Sequence, residues 1–317
     1  MANRTELPES APGTDSTGLP APLPDGWLRR YPWATFLLPM FVYMMVGQLE
    51  PKPPSSVRVE EVVDRVASSQ TATESDNSNS ESAGVAPLDD DTKKEHQEDE
   101  FIGGYYEDET DEQAAYQKYP YIYTLKIALT MLAMMLVWPG YRTFRWQLSP
   151  WSVVVGVVGV ILWVGLCHLD LESRLLRSVG LGMFLDQGQR SAFNPMVELQ
   201  ESPLWAMVFL AIRLWGLAIV VPIMEEFFLR GFLMRYVISE RWWELPFGKV
   251  IPLALLIGTG VPMLMHPGEL LAACVWFSLV TWLMIRTRNI WDCVVAHAVT
   301  NLLLGIYVIS SGEWQLM

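Results

Sequence analysis

The chain has 317 residues, 51% of them hydrophobic, with 16 Met, 14 Trp and a positive mean hydropathy. That composition excludes a disulfide-built domain, because only three cysteines occur and no two share a C-x-x-C spacing. The net charge of −13 is local: residues 50–118 hold 19 Asp/Glu against 6 Lys/Arg, so the rest of the chain balances and gives no reason to expect a nucleic-acid partner.

Residues 1–32 are rich in Pro, Ser, Thr and Gly and read as a disordered tail. Arg29 and Arg30 precede an apolar run over 33–49, short for a membrane span but suited to an uncleaved first transmembrane helix. Residues 50–119 are acidic and lack the apolar surface a core needs, which predicts a mostly disordered loop. Residues 120–203 predict a second span from Tyr121 to Trp138, ended by Pro139 and Gly140, and a third from Trp151 to Cys167. After it, Leu171, Leu175, Leu176, Val179 and Leu181 recur at helical spacing among charges, as in an amphipathic helix lying in the interface.

Residues 204–317 predict four more helices. One is long, from Leu204 to about Ser239, with a kink at Pro222. A turn at 244–248 leads to the fifth, Val250–Met265. The sixth is Leu270–Ile285 and the seventh Ile290–Ile309. The fold class is thus an all-α polytopic membrane protein of about seven transmembrane helices. Short loops rich in Lys/Arg alternate along the chain (Arg29/Arg30, Arg142/Arg145, Arg235/Arg241/Lys249, Arg286/Arg288), which predicts a cytoplasmic N-terminus and places the acidic loop on the far side. The three cysteines, Cys167, Cys274 and Cys293, fall in apolar runs and read as small buried side chains.

Polar groups interrupt the apolar second half at three places, and ionisable groups at membrane depth mark function. Glu226 and Arg230 are four apart and pair on one helix face, whereas Glu225 points about 100° away and is left for chemistry. His266 ends the fifth helix, and its distance from the intervening turn matches that of Glu225, so antiparallel packing sets the two at similar depth. His297 and Asn301 share one face of the last helix. A carboxylate beside an imidazole can deprotonate water, and a second imidazole with an amide can stabilise an oxyanion. The same Glu225, His266 and His297 are alternatively a zinc ligand set. No H-E-x-x-H and no G-x-S-x-G occurs.

Glu225-Glu226-x-x-x-Arg230-Gly231 with Phe232-Leu233, then a histidine at the end of the next helix, then His297-x-x-x-Asn301 resembles the CPBP family, which comprises the CAAX prenyl endopeptidases and the bacteriocin-processing or immunity-linked (Abi-like) membrane proteases. The first and third motifs match; in the second, Pro262 stands where the family has phenylalanine before His266. The resemblance covers about 204–305. It implies an intramembrane endopeptidase in which Glu225 and His266 activate water, Glu226 and Arg230 shape the site, and His297 and Asn301 stabilise the oxyanion. No cofactor is required in this reading, zinc being the alternative. The implied substrate is a membrane protein or lipidated peptide, and the implied setting a bacterial cytoplasmic membrane. The rival readings are a non-enzymatic immunity or partner-binding protein of the same fold, and a secondary transporter with a midplane ion site.

Overall fold

A computed structural model describes residues 21–54, 112–169, 171, 174, 178, 180 and 191–317. Most of the predicted acidic loop and the first twenty residues lie outside them, as does most of the amphipathic stretch; its Leu171, Arg174 and Ser178 are helical. Among the described residues the protein is all-helical. Seven principal helices are α1 (Ala34–Gly47), α2 (Tyr119–Tyr141), α3 (Pro150–Leu169), α4 (Pro203–Tyr236), α5 (Pro252–Met265), α6 (Leu270–Thr287) and α7 (Ile290–Ser311). Helices α2, α3, α4, α6 and α7 are long and apolar enough to cross a membrane.

The other two are shorter apolar helices. Helices α1 and α5 have 14 residues each. At 1.5 Å per residue that is about 21 Å, against a hydrocarbon core of about 30 Å. They pack as shorter elements on α2 and α6 respectively. Helix α2 also passes the predicted stop at Pro139–Gly140 and ends at Tyr141. Proline removes one main-chain donor there, only a turn from the helix end, where hydrogen bonding is already incomplete. Residues 27–30, expected within the disordered tail, form a helical turn with Leu28 buried.

Pro222 does not simply kink α4. Two π-helical stretches, Gly216–Val220 and Phe227–Leu233, flank a short α-helical segment, Val221–Glu226, that carries Pro222 and both glutamates. A π turn widens the helix and redirects the side chains that follow, a device common at functional sites.

Two glycines of α3 set close crossings with α6 and α7. A Cβ on Gly156 of α3 would lie 2.6 Å from Val299, and one on Gly159 would lie 2.5 Å from the Trp276 indole nitrogen and 2.8 Å from the Thr300 hydroxyl. Small residues let α3 approach α6 and α7 this closely without a hydrophobic drive between helices in lipid. Thr300 bridges the contact: its hydroxyl accepts from Trp276 Nε1 at 3.1 Å and lies 2.9 Å from the Gly156 carbonyl.

Candidate active site

Glu226 is fully buried, and each of its oxygens has a partner. Oε2 accepts from Arg230 Nη1 at 2.6 Å, one helical turn on, and Oε1 meets His297 Nδ1 at 3.0 Å. Arg230, equally buried, also donates to the Phe277 carbonyl at 3.2 Å. Such added hydrogen bonds support a buried ion pair, although among the described residues the Arg230 Nε–H is buried without a hydrogen-bond partner. A carboxylate accepts only, so His297 carries its proton on Nδ1, and Nε2 is the nitrogen turned toward Glu225.

Glu225, adjacent in sequence but on a different face, is partly exposed. Its Oε2 lies 4.0 Å from His297 Nε2. That gap is beyond hydrogen-bond length, so a water or substrate atom must couple the two groups. Glu225 also lines a cavity of about 650 Å³ together with His266, His297 and Asn301.

His266 follows the last residue of α5. Its main-chain N–H turns to the Met263 carbonyl at 3.1 Å, which leaves the Pro262 carbonyl to its own ring: Nδ1 lies 2.8 Å from that oxygen. A carbonyl likewise only accepts, so Nδ1 carries the proton and Nε2 of the neutral ring is the accepting nitrogen. The residue before His266 that departs from the family motif therefore contributes through its backbone, which proline supplies as well as phenylalanine. The imidazole is framed by Trp163, edge-on at 5.7 Å, and Phe277 at 5.6 Å.

Asn301 donates from Nδ2 to the Leu217 carbonyl at 2.9 Å. Leu217 lies in the first π stretch, whose pattern joins the Gly216 carbonyl to the N–H of residue 221. The donor due to Leu217 is therefore residue 222, a proline without an N–H. The bulge and Pro222 leave an unclaimed carbonyl, and Asn301 fills it. One amide proton is fixed in this way, while the side chain remains on the cavity wall.

The structure thus brings all six residues singled out in the sequence around one cavity or directly behind its wall. It adds groups that sequence reasoning passed over. The wall includes Trp163 of α3, Trp276 and Phe277 of α6, and Tyr123 and Lys126 of α2, so the cavity extends beyond the last four helices. Lys126 is almost fully buried, pairs with Glu50 at 2.6 Å and sits over the Tyr43 and Tyr123 rings at 4.4 and 4.6 Å. A lysine inside an apolar span was a readable signal, and so was Trp276, since a tryptophan deep in a helix bundle needs a hydrogen-bond partner.

Among the described residues, no group of three or more His, Cys, Asp or Glu side chains is placed to hold a metal ion.

Residues 203–303 match the family model described as Type II CAAX prenyl endopeptidase Rce1-like. The matched segment runs from the start of α4 into α7 and contains all six residues. Neither a curated protein nor a solved structure matches the chain.

Proposed function

We propose, from the match of residues 203–303 to the Rce1-like, type II CAAX prenyl endopeptidase family model, that the protein is an intramembrane endopeptidase with Glu225 as the base that activates water. The observation that carries this reading is the division of labour between adjacent carboxylates. Glu226 is fully buried and committed to Arg230 and His297, whereas Glu225 borders the cavity 4.0 Å from the His297 nitrogen that Glu226 has oriented.

Glu225 takes a proton from a water as the water oxygen attacks the scissile carbonyl, and returns it to the departing amine. His266, held through Nδ1 on the Pro262 carbonyl, lies on the cavity wall with Glu225 and helps to position that water. The second amide proton of Asn301 donates to the oxyanion, and His297, its proton held on Nδ1 by Glu226, turns Nε2 toward the reacting atoms beside Glu225. Arg230 acts only through Glu226. The Trp163, Trp276 and Phe277 rings in the wall lower the polarity around the reacting groups and strengthen these electrostatic contacts. The substrate class is a peptide segment of a membrane protein or a lipidated peptide, met in a bacterial cytoplasmic membrane.

The test is purified protein in detergent against a broad peptide panel, with and without chelator. Internal cleavage that survives the chelator is expected. Cleavage abolished by chelator and restored by zinc would make Glu225, His266 and His297 metal ligands instead. Absence of cleavage across the panel would leave the non-enzymatic, partner-binding reading.

A further inference from the structure

We infer that Lys126 is an anion subsite of the active-site cavity that takes a carboxylate of the peptide substrate, and that Glu50 is its internal occupant, displaced as substrate enters; the substrate half of this inference rests on the endopeptidase reading above.

Lys126 is the eighth of the 23 residues of α2 and is only 4% exposed. An ammonium in an apolar span is costly, and it is retained where it faces a cavity and meets a partner. Lys126 does both. It lines the same cavity as Glu225, His266 and His297, and its Nζ lies 2.6 Å from a carboxylate oxygen of Glu50. The Tyr43 and Tyr123 rings sit 4.4 and 4.6 Å from Nζ. Ring faces attract a cation without neutralising it, so they hold the ammonium on the wall and leave its charge to be met by a carboxylate. The neighbouring cations are committed elsewhere. Both terminal nitrogens of Arg213 donate to main-chain carbonyls, those of Phe193 and Met317, at 2.6 Å each. Arg230 is bound to Glu226 behind the wall.

Glu50 is the half of the pair that can leave. Its side chain is 21% exposed, against 5% for that of Lys126. It stands beyond the end of α1, in a strap whose residues Gln48 and 50–53 border the cavity. The main-chain bonds of the strap run back into α1: the Leu49 N–H donates to the Val46 carbonyl and the Glu50 N–H to that of Gly47. Three of the next four residues, Pro51, Pro53 and Pro54, have no N–H with which to bind the bundle. Among the described residues, the Glu50–Lys126 pair is the one polar bond from this strap to another helix. Exchanging Glu50 for a substrate carboxylate keeps the buried ammonium paired, as a charge in this setting requires, while Glu50 returns to water. A neutral group offers no such exchange and leaves Glu50 in place. Taken as round, a cavity of about 650 Å³ is about 11 Å across, the length of a few extended residues. The carboxylate therefore lies within a few residues of the bond cleaved at Glu225, as an Asp or Glu side chain or as the peptide's own C-terminal group.

The experiment uses the full chain purified in detergent and a peptide that the wild type cleaves. The peptide is made with a free or an amidated C-terminus and, separately, with Glu or Gln near the scissile bond. Neutralising the carboxylate that Lys126 reads is expected to raise KM about tenfold or more, the fold-change for one hydrogen bond to a charged group. Which of the two changes does so identifies the source of the carboxylate. Glu50→Gln is expected to lower KM for the charged peptide several-fold and not for its neutral counterpart, because an amide is the weaker competitor for Lys126. Lys126→Gln, made alone and with Glu50→Gln so that no carboxylate is stranded, is expected to bring the KM values of charged and neutral peptides together. A purely structural pair predicts a lower Tm in each single variant with charged and neutral peptides affected alike, and that result overturns the inference. A wild type that cleaves both members of each peptide pair with equal KM overturns the subsite and leaves the endopeptidase reading intact. No cleavage of any peptide removes the endopeptidase reading, and the subsite with it.

Discussion

Glu226→Gln separates the structural and chemical duties of the paired glutamates. The wild-type carboxylate has two oxygens, one on Arg230 at 2.6 Å and one on His297 Nδ1 at 3.0 Å, and is fully buried. Glutamine offers one acceptor and one donor in the same volume. With its oxygen on Arg230, its NH₂ meets His297 Nδ1, and the ring must shift its proton to Nε2. With its oxygen on His297, two donors face each other at Arg230. In both cases the guanidinium keeps a full charge at a site with no solvent exposure. Removing one partner of a buried ion pair costs about 3–5 kcal/mol. Losing the carboxylate that fixes a catalytic histidine's tautomer costs about 10⁴ in kcat. Turnover and Tm measured on the same detergent-purified samples should therefore both fall. The double variant Glu226→Gln/Arg230→Met removes the uncompensated charge and should recover most of the Tm while activity stays low. The reasoning is refuted if Glu226→Gln melts with the wild type and retains its kcat, or if the double variant restores turnover.

Asn301→Ala removes an oxyanion donor and the partner of the Leu217 carbonyl; kcat should fall about 10²–10³-fold, with KM little changed, in steady-state assays. Gly159→Ala drives a methyl group into Trp276 and Thr300, and the overpacking should lower stability by about 1–3 kcal/mol, read as a fall in Tm. Lys126→Met strands Glu50 at the cavity rim, which should cost about 1–3 kcal/mol and speed amide exchange over residues 47–53, followed by mass spectrometry.

Much of the fold was legible because apolar runs in a membrane protein have few alternatives to helix: the backbone must bond to itself. The run from Leu204 to about Ser239 indeed forms one long helix, Pro203–Tyr236. What the sequence did not reveal was the helix's internal form. The π stretches around Pro222 arise from a missing N–H and a tertiary acceptor, Asn301, 84 residues away, and no local pattern records that pairing. For the same reason the sequence placed Asn301 on the correct face but could not show that half of its amide is engaged in bracing Leu217. The Glu226–Arg230 spacing was readable, since i,i+4 contacts are local, whereas the approach of His297 to both glutamates depends on how α7 packs against α4.

The most direct measurement of the central claim is peptide turnover by Glu225→Gln beside the wild type, in one preparation and with Tm recorded for both. Glutamine keeps the shape of the residue and cannot take a proton, and Glu225, unlike Glu226, is partly exposed and holds no buried cation, so Tm should be unchanged. Loss of the base should reduce the rate about 10²–10⁴-fold. A Glu225→Gln protein that cleaves at the wild-type rate would contradict the assignment of water activation to Glu225.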